Sequence, residues 1–324
     1  MTRRLQTYLS DLVERVRAES GGTVPANPPA PEPGWEKRCG VALVAVDGTT
    51  VTAGDADVEF AIQSSSKALV FALALADRGI EEVERVIGVE PSGEPFDAPS
   101  VDASGRPDNP MINAGAMTAH GLLLGPNAGE DERVAFILDA FSRMAGRTLR
   151  VDERVYEHEL EHAHANLSIA HMLRARDVLP DEPGEVVSGY LRQCAIAVTA
   201  RDLATMAATL ANRGRRPETG EQILEPPIAK HVLGVMMSCG MYDAAGDWIT
   251  DVGLPAKSGV GGGILGVAPG RVGIGTFSPP LDEHGNSHRG ELMFERLSAD
   301  YGLHFVEALD PDEKRWGEAL VGTD

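Results

Sequence analysis

Phe60-Ala61-Ile62-Gln63-Ser64-Ser65-Ser66-Lys67 closes an alternating apolar run and opens a strongly apolar one, Ala68 through Ala76. The pattern predicts a strand or loop feeding the first turn of a buried helix, with Ser64 at the helix start. Residues three apart share a helix face, so the Ser64 hydroxyl and the Lys67 amine can meet. A serine hydroxyl is a weak nucleophile until a neighbouring base removes its proton, and a lysine becomes that base when burial lowers its pKa toward neutrality. The amides of a helix start add positive potential for a developing oxyanion. Alone, Ser-x-x-Lys is a weak signal, a four-residue pattern that arises often by chance, and it reads first as a helix cap followed by an exposed lysine. Two features favour catalysis: the lysine lies in an apolar segment, and the chain's only lysines are Lys37, Lys67, Lys230, Lys257 and Lys314.

Around this stretch, 324 residues with 43% hydrophobic content suit one large core or two modest ones. A formal net charge of −20 argues against a nucleic acid or an anionic membrane surface as partner, because both need clustered Lys and Arg. The N-terminus lacks the apolar core of a signal peptide, and no run is long enough to span a bilayer, so the expectation is a cytoplasmic protein. Cys39, Cys194 and Cys239 are too few and too scattered for a disulfide framework or a Cys-x-x-Cys metal site. They read as buried reduced thiols.

Leu5, Tyr8, Leu9, Leu12, Val13 and Val16 recur at helical spacing and predict an amphipathic helix within residues 1–20. Residues 21–34 carry five prolines and read as an extended connector. Val41-Ala-Leu-Val-Ala-Val46, Asp47-Gly48 and residues 49–53 predict a hairpin. Asp108-Asn109-Pro-Met-Ile-Asn113-Ala-Gly115-Ala reads as a turn followed by small residues. Residues 134–144, 166–176, 185–194 and 202–212 are helical by period and caps. From Met241 onward, short strands separated by glycine turns are expected. Strand signals at both ends suggest one sheet closed by distant parts of the chain. The expected division is an N-terminal helix (1–20), a connector (21–34), a single catalytic domain (35–308) and a charged tail (309–324). Within that domain the sheet is drawn from about 35–63 and 241–305, with helices from about 64–240.

Two further motifs compete for attention. Gly261-Gly-Gly263-Ile-Leu-Gly266 satisfies G-x-G-x-x-G, yet Pro269 and Gly270 follow where a dinucleotide site needs a long helix. His158-Glu159-Leu-Glu-His162 is a literal H-E-x-x-H, which on a helix presents two imidazoles to zinc. Glu182 is the candidate third ligand, but Leu179-Pro180-Asp-Glu-Pro183-Gly184 reads as a turn. The alternative is a solvated segment rich in Glu and His.

With the whole order in view, the sequence resembles the serine-dependent glutaminases, whose fold is that of penicillin-binding proteins and class A β-lactamases. The resemblance runs from about Leu5 to His304. It is carried by Ile62-Gln-Ser64-Ser-Ser-Lys67, Glu90-Pro-Ser-Gly93, Asn109-Pro-Met-Ile-Asn113-Ala-Gly-Ala, Tyr190 with Gln193-Cys194, and Asp202-Leu-Ala. Cys239-Gly-Met-Tyr242-Asp, Pro255-Ala-Lys257-Ser-Gly-Val260, Ser278-Pro-Pro-Leu-Asp and Gly285-Asn286-Ser287 follow in the family's order. Ser-x-x-Lys followed by Lys-Ser-Gly is also the paired signature of β-lactamase-like enzymes, the second motif lying on a strand that faces the nucleophile.

The resemblance implies an α+β, β-lactamase/transpeptidase-like fold: a mostly antiparallel sheet flanked by helices, plus a helical subdomain. It implies hydrolysis of L-glutamine to L-glutamate and ammonia without cofactor or metal, by a homo-oligomer (dimer or tetramer). Ser64 would be the nucleophile and Lys67 its base. The backbone N–H groups of Ser64 and Val260 would form the oxyanion hole, and Tyr190 and Tyr242 would relay protons. Glu159, Asn113 and Asn166 would hold the amino acid, supported by Gln63, Lys257, Ser258 and Gly259. That clamp makes independent chemical sense, since an α-ammonium needs a fixed anion and an α-carboxylate needs neutral donors. Departures from the family pattern occur at Thr23, where tyrosine is usual, and at His158, Ala165, Ala195 and Ser65. The first three bear on how substrate and Glu159 are held. Other readings are a β-lactamase-like amidase or esterase, a non-catalytic glutamine sensor, and a zinc peptidase.

Overall fold

The computed structural model describes residues 2–26, 31–94 and 97–307. The tail expected at 309–324 lies outside the described residues, as do residues 27–30 of the connector. The amphipathic N-terminal run forms α1 (Thr2–Arg17) and buries Leu5, Leu9, Leu12, Val13 and Val16. Strands β1 (Gly40–Ala45) and β2 (Thr50–Gly54) make the hairpin, with the Gly48 amide donating to the Ala45 carbonyl in its turn. After β3 (Phe60–Ala61), a 3-10 turn at Gln63–Ser65 feeds α2 (Ser66–Arg78), and α3 (Ile80–Glu84) follows. The helical part continues through α4 (Asn113–Leu122), α5 (Glu130–Ala145), α6 (Glu153–Glu161), α7 (His164–Ala175) and α8 (Pro183–Cys194). Next come β4 (Ala197–Val198), α9 (Ala200–Ala211), α10 (Pro226–Cys239) and α11 (Ala245–Asp251). Strands β5 (Ala256–Gly259), β6 (Gly263–Ala268) and β7 (Val272–Phe277) and helix α12 (His288–Tyr301) end the described chain.

The main sheet runs β2-β1-β7-β6-β5, antiparallel throughout, so β1 of the first hairpin pairs with β7 far along the chain. The fold is α+β, an antiparallel sheet flanked by helices. Side chains alternate across the sheet with period two. Val41, Leu43 and Ala45 of β1 join Val272 and Ile274 of β7 in a core shared with α1 and α12. Ala42 and Val44 point the other way, onto Ala204 and Ala208 of α9. The opposite positions of β7 are glycines because α9 lies against the strand: a Cβ at Gly273 would stand 2.1 Å from the Ala208 nitrogen, and one at Gly275 2.1 Å from the Ala200 oxygen.

Two local expectations are corrected. The stretch read as a turn at residues 108–116 becomes helical from Asn113 onward. Its small residues give no apolar stripe because α4 is buried on nearly every side. Residues 197–198, inside the region read as helical, pair with β3 in a separate two-stranded ribbon. That ribbon ties the approach to Ser64 to the start of α9.

Candidate functional site

Ser64 occupies the middle of the 3-10 turn between β3 and α2, and Lys67 lies in the first turn of α2. Both side chains are buried, Lys67 at 1% exposure. Burial pushes the Lys67 ammonium down to about 8, because a charge removed from water is disfavoured. Its Nζ donates to Asn113 Oδ1 at 2.6 Å. Among the described residues five non-glycines adopt positive φ, and two of them, Gln63 (φ 49°) and Tyr242 (φ 56°), belong to this site. Such conformations persist where surrounding contacts hold them, and they gather at functional sites.

The Lys-Ser-Gly motif is β5, an edge strand laid against the Ser64 turn. Ser65 Oγ donates to the Lys257 carbonyl at 3.3 Å. A Cβ on Gly259 would lie 3.2 Å from the Ser64 nitrogen and 2.9 Å from the Ile62 oxygen, so only glycine lets strand and turn approach this closely. Lys257 is also fully buried, its Nζ donating to the Ser258 carbonyl at 2.8 Å and standing 3.9 Å from the centre of the Tyr242 ring. Burial first, and the Lys67 charge second, pull its pKa well below the ordinary lysine value. Ser258 Oγ donates to Asn286 Oδ1 at 2.5 Å. The Tyr242 hydroxyl lies 3.4 Å from the Ser258 carbonyl. Burial raises its pKa to about 12, and a hydrogen bond with Ser64 acts in the opposite direction.

Asn113, at the first position of α4, links these groups to the substrate-binding candidates. Its Nδ2 donates to Asn166 Oδ1 at 2.9 Å, and its Oδ1 also faces the Tyr190 hydroxyl at 3.4 Å. Tyr190 is buried on α8, and burial raises its pKa well above the ordinary tyrosine value. Glu159, half-buried on α6, accepts from Gln63 Nε2 at 3.1 Å. Ser64, Lys67, Asn113, Asn166, Tyr190, Tyr242, Glu159, Gln63 and β5 are thus joined into one cluster. Gln63 and Val260 line a cavity of about 490 Å³ together with Val24, Pro25 and Trp35, while Tyr242 lines another of about 410 Å³ with Met111 and Ile112. Thr23 exchanges two backbone hydrogen bonds with Leu281, 2.8 and 2.9 Å long, which fixes the segment bearing Val24 and Pro25.

The rival motifs resolve differently. Gly261-Gly262-Gly263 is the tight connection from β5 to β6, and no helix follows it. His158 and His162 do share a helix face, with ring centres 4.5 Å apart. However, the His162 Nδ1 bonds to the His158 carbonyl, Glu159 is engaged by Gln63, and Glu182 sits at the N-terminus of α8. Among the described residues no three His, Cys, Asp or Glu side chains are grouped to hold a metal ion. Cys39, Cys194 and Cys239 are buried free thiols. No helix among the described residues is long and apolar enough to cross a membrane.

Sequence reasoning missed a second layer behind Ser64. Ser66 Oγ donates to the Gln63 carbonyl at 2.7 Å, Gln193 Nε2 donates to Ser66 Oγ at 3.0 Å, and Gln193 Oε1 meets His120 Nδ1 at 3.0 Å. Gln193-Cys194 and Ser66 lay within quoted motifs but without a role of their own, and His120 is a lone histidine between apolar and small residues.

The chain matches the glutaminase family model over residues 22–305. A glutaminase of Corynebacterium glutamicum is 46% identical over 306 residues, covering 94% of this chain and 74% of its own length. Glutaminase 2 of Bradyrhizobium diazoefficiens is 49% identical over 303 residues, 93% of this chain and 48% of its own. A crystal structure of Mglu in its glutamate form matches at 48% identity with a TM-score of 0.89, covering 96% of this chain and 71% of that one. With a family match that spans the Ser64 turn, the Asn113 cluster and β5 alike, the chain belongs to the glutaminase family.

Proposed function

We propose that this protein hydrolyses L-glutamine to L-glutamate and ammonia through an acyl-enzyme on Ser64, with Lys67 as general base. The observation that carries the reading is a buried serine beside a buried lysine whose pKa is lowered to about 8, in a chain that matches the glutaminase model along most of its length. Ser64 Oγ attacks the side-chain carboxamide carbon while its proton passes to neutral Lys67. The new C–O bond places negative charge on the former carbonyl oxygen, which the backbone N–H groups of Ser64 and Val260 receive. Collapse of that intermediate breaks the C–N bond as the leaving nitrogen takes a proton from Lys67 by way of a tyrosine hydroxyl. Ammonia departs, and water repeats the sequence on the ester to release glutamate and restore Ser64.

Tyr242 and Tyr190 suit proton relay because a phenol hydroxyl both donates and accepts, and burial raises both pKa values further above neutrality. Glu159 supplies the fixed anion for the α-ammonium, and the Asn113–Asn166 pair supplies amide hydrogens for the α-carboxylate. Lys257 holds the Tyr242 ring and the Ser258 carbonyl in place, and Gly259 admits β5 to its closest approach. The test is covalent: protein mixed with L-glutamine, quenched in acid and digested should carry a γ-glutamyl ester on the Ser64 peptide. An ester on another residue contradicts the mechanism.

A further inference from the structure

Gln63 carries two constraints: its backbone lies at φ 49°, and its carbonyl precedes the Ser64 peptide. A glutamine adopts that conformation only where neighbours hold it. Its side chain is held by Glu159. Its carbonyl accepts from both the backbone amide and the hydroxyl of Ser66. From there a line of buried polar groups runs away from the substrate, through Ser66 of α2 and Gln193 of α8 to His120 of α4. Their exposures are 0%, 0% and 1%. Buried polar groups are costly unless bonded, and three in series from three helices call for a purpose.

The direction of the line is fixed by its chemistry. A carbonyl can only accept, so the Ser66 hydroxyl spends its one proton on Gln63. The Ser66 oxygen therefore accepts from the Gln193 amide nitrogen, which turns the Gln193 oxygen toward His120. His120 must then carry its proton on Nδ1. The remaining nitrogen, Nε2, is buried with no hydrogen-bond partner among the described residues and lies against Gly189, where a Cβ would stand 2.5 Å away. Burial lowers the His120 pKa to about 4, so one neutral tautomer persists through the neutral range.

We propose that His120, Gln193 and Ser66 are positioning residues: a one-way relay of hydrogen bonds that holds the Gln63 peptide, and through it the Ser64 nucleophile, in its reactive setting. None of them lines either cavity at the site, and the inference rests on the glutaminase reading above. It separates two uses of the same interior, Lys67 and Asn113 on the chemical side and the relay behind the turn.

The experiment measures kcat and KM for L-glutamine, with thermal unfolding, in His120→Leu, His120→Asn, Ser66→Ala and the His120→Leu/Ser66→Ala double variant. His120→Leu and Ser66→Ala should each lower kcat about ten- to hundred-fold, the scale of a nucleophile displaced by a fraction of an ångström. KM should stay within about twofold, because uniform binding is untouched. His120→Asn restores most of kcat, since its amide nitrogen reaches near the position of Nδ1. The double variant is no slower than Ser66→Ala alone, because both break the same line. Wild-type kcat in either single variant, losses that multiply in the double, or a KM increase equal to the kcat loss each overturns the relay. Should His120→Leu fail to fold, Ser66→Ala with its smaller volume change and the His120→Asn rescue still decide. A wild-type protein inactive on L-glutamine overturns the glutaminase reading and the relay with it, whereas active wild type with unaffected variants removes only the relay.

Discussion

Lys67 Nζ stands 2.6 Å from Asn113 Oδ1, a neutral acceptor where an ion pair would have required a carboxylate. An amide oxygen accepts from an ammonium and from an amine alike in geometry, so it orients the nitrogen while favouring the charged state far less than a carboxylate would. A carboxylate in the same place would hold the lysine protonated and useless as a base. With burial pushing Lys67 to about 8, the neutral fraction grows as pH rises. The predicted kcat/KM for L-glutamine climbs with unit slope from pH 6 and levels off with a midpoint near 8 (about one pH unit either way). A profile flat between pH 6 and 9 contradicts lysine as the base.

The same burial has a stability cost. The folded pKa of Lys67 lies below its unfolded value of 10.5, so the native state binds fewer protons through that window and stability rises with pH across it. At pH 7 the difference amounts to about 3 kcal/mol of destabilisation. Lys67→Met is therefore expected to unfold at a higher temperature than wild type at pH 7 while losing turnover, with the gap narrowing toward pH 10. Calorimetry at the two pH values checks it. A lower melting temperature for the variant at both would show that the Asn113 bond outweighs the cost of burial.

Glu159→Gln keeps an oxygen for Gln63 Nε2 but removes the negative charge that the proposed clamp offers to the substrate ammonium. A hydrogen bond to a charged group contributes about 1.5–3 kcal/mol, so KM should rise about ten- to hundred-fold with kcat changed far less. Initial-rate kinetics distinguish this from a loss confined to kcat, which would remove Glu159 from ground-state binding.

Gly259→Ala places a methyl 2.9 Å from the Ile62 oxygen and 3.2 Å from the Ser64 nitrogen. Neither backbone atom can move without shifting the Ser64 turn. The predicted result is a fall in kcat of at least about tenfold, with destabilisation of about 1–3 kcal/mol. Rates together with urea unfolding test it, and unaltered kcat would mean the turn tolerates displacement of β5.

Much of this was readable in the chain. The Leu5 to Val16 stripe, the Asp47-Gly48 turn and the apolar helix after Ser64 are local patterns, and they form as local patterns dictate. The pairing of β1 with β7 was foreseen only as strand signals at both ends, because register between residues 40–45 and 272–277 is set by tertiary packing. Helix α4 escaped notice because its alanines and glycines are buried around the whole circumference, leaving no amphipathic period to detect. The order of motifs made Ser64, Lys67, Tyr190, Tyr242 and Lys257 candidates, and the fold gathers them. His120 carried no sequence signal and Ser66, though inside the Ile62–Lys67 motif, none that pointed to its partners, since a hydrogen bond between helices distant along the chain leaves no spacing to read.

The most direct measurement is ammonia and glutamate release from L-glutamine by the purified wild-type protein and by Ser64→Ala, each with and without excess EDTA. The serine mechanism predicts equimolar ammonia and glutamate from wild type, unchanged by EDTA, and a loss of at least about a thousand-fold in the variant. Turnover retained by Ser64→Ala, or wild-type activity abolished by EDTA and restored by zinc through His158 and His162, would contradict it.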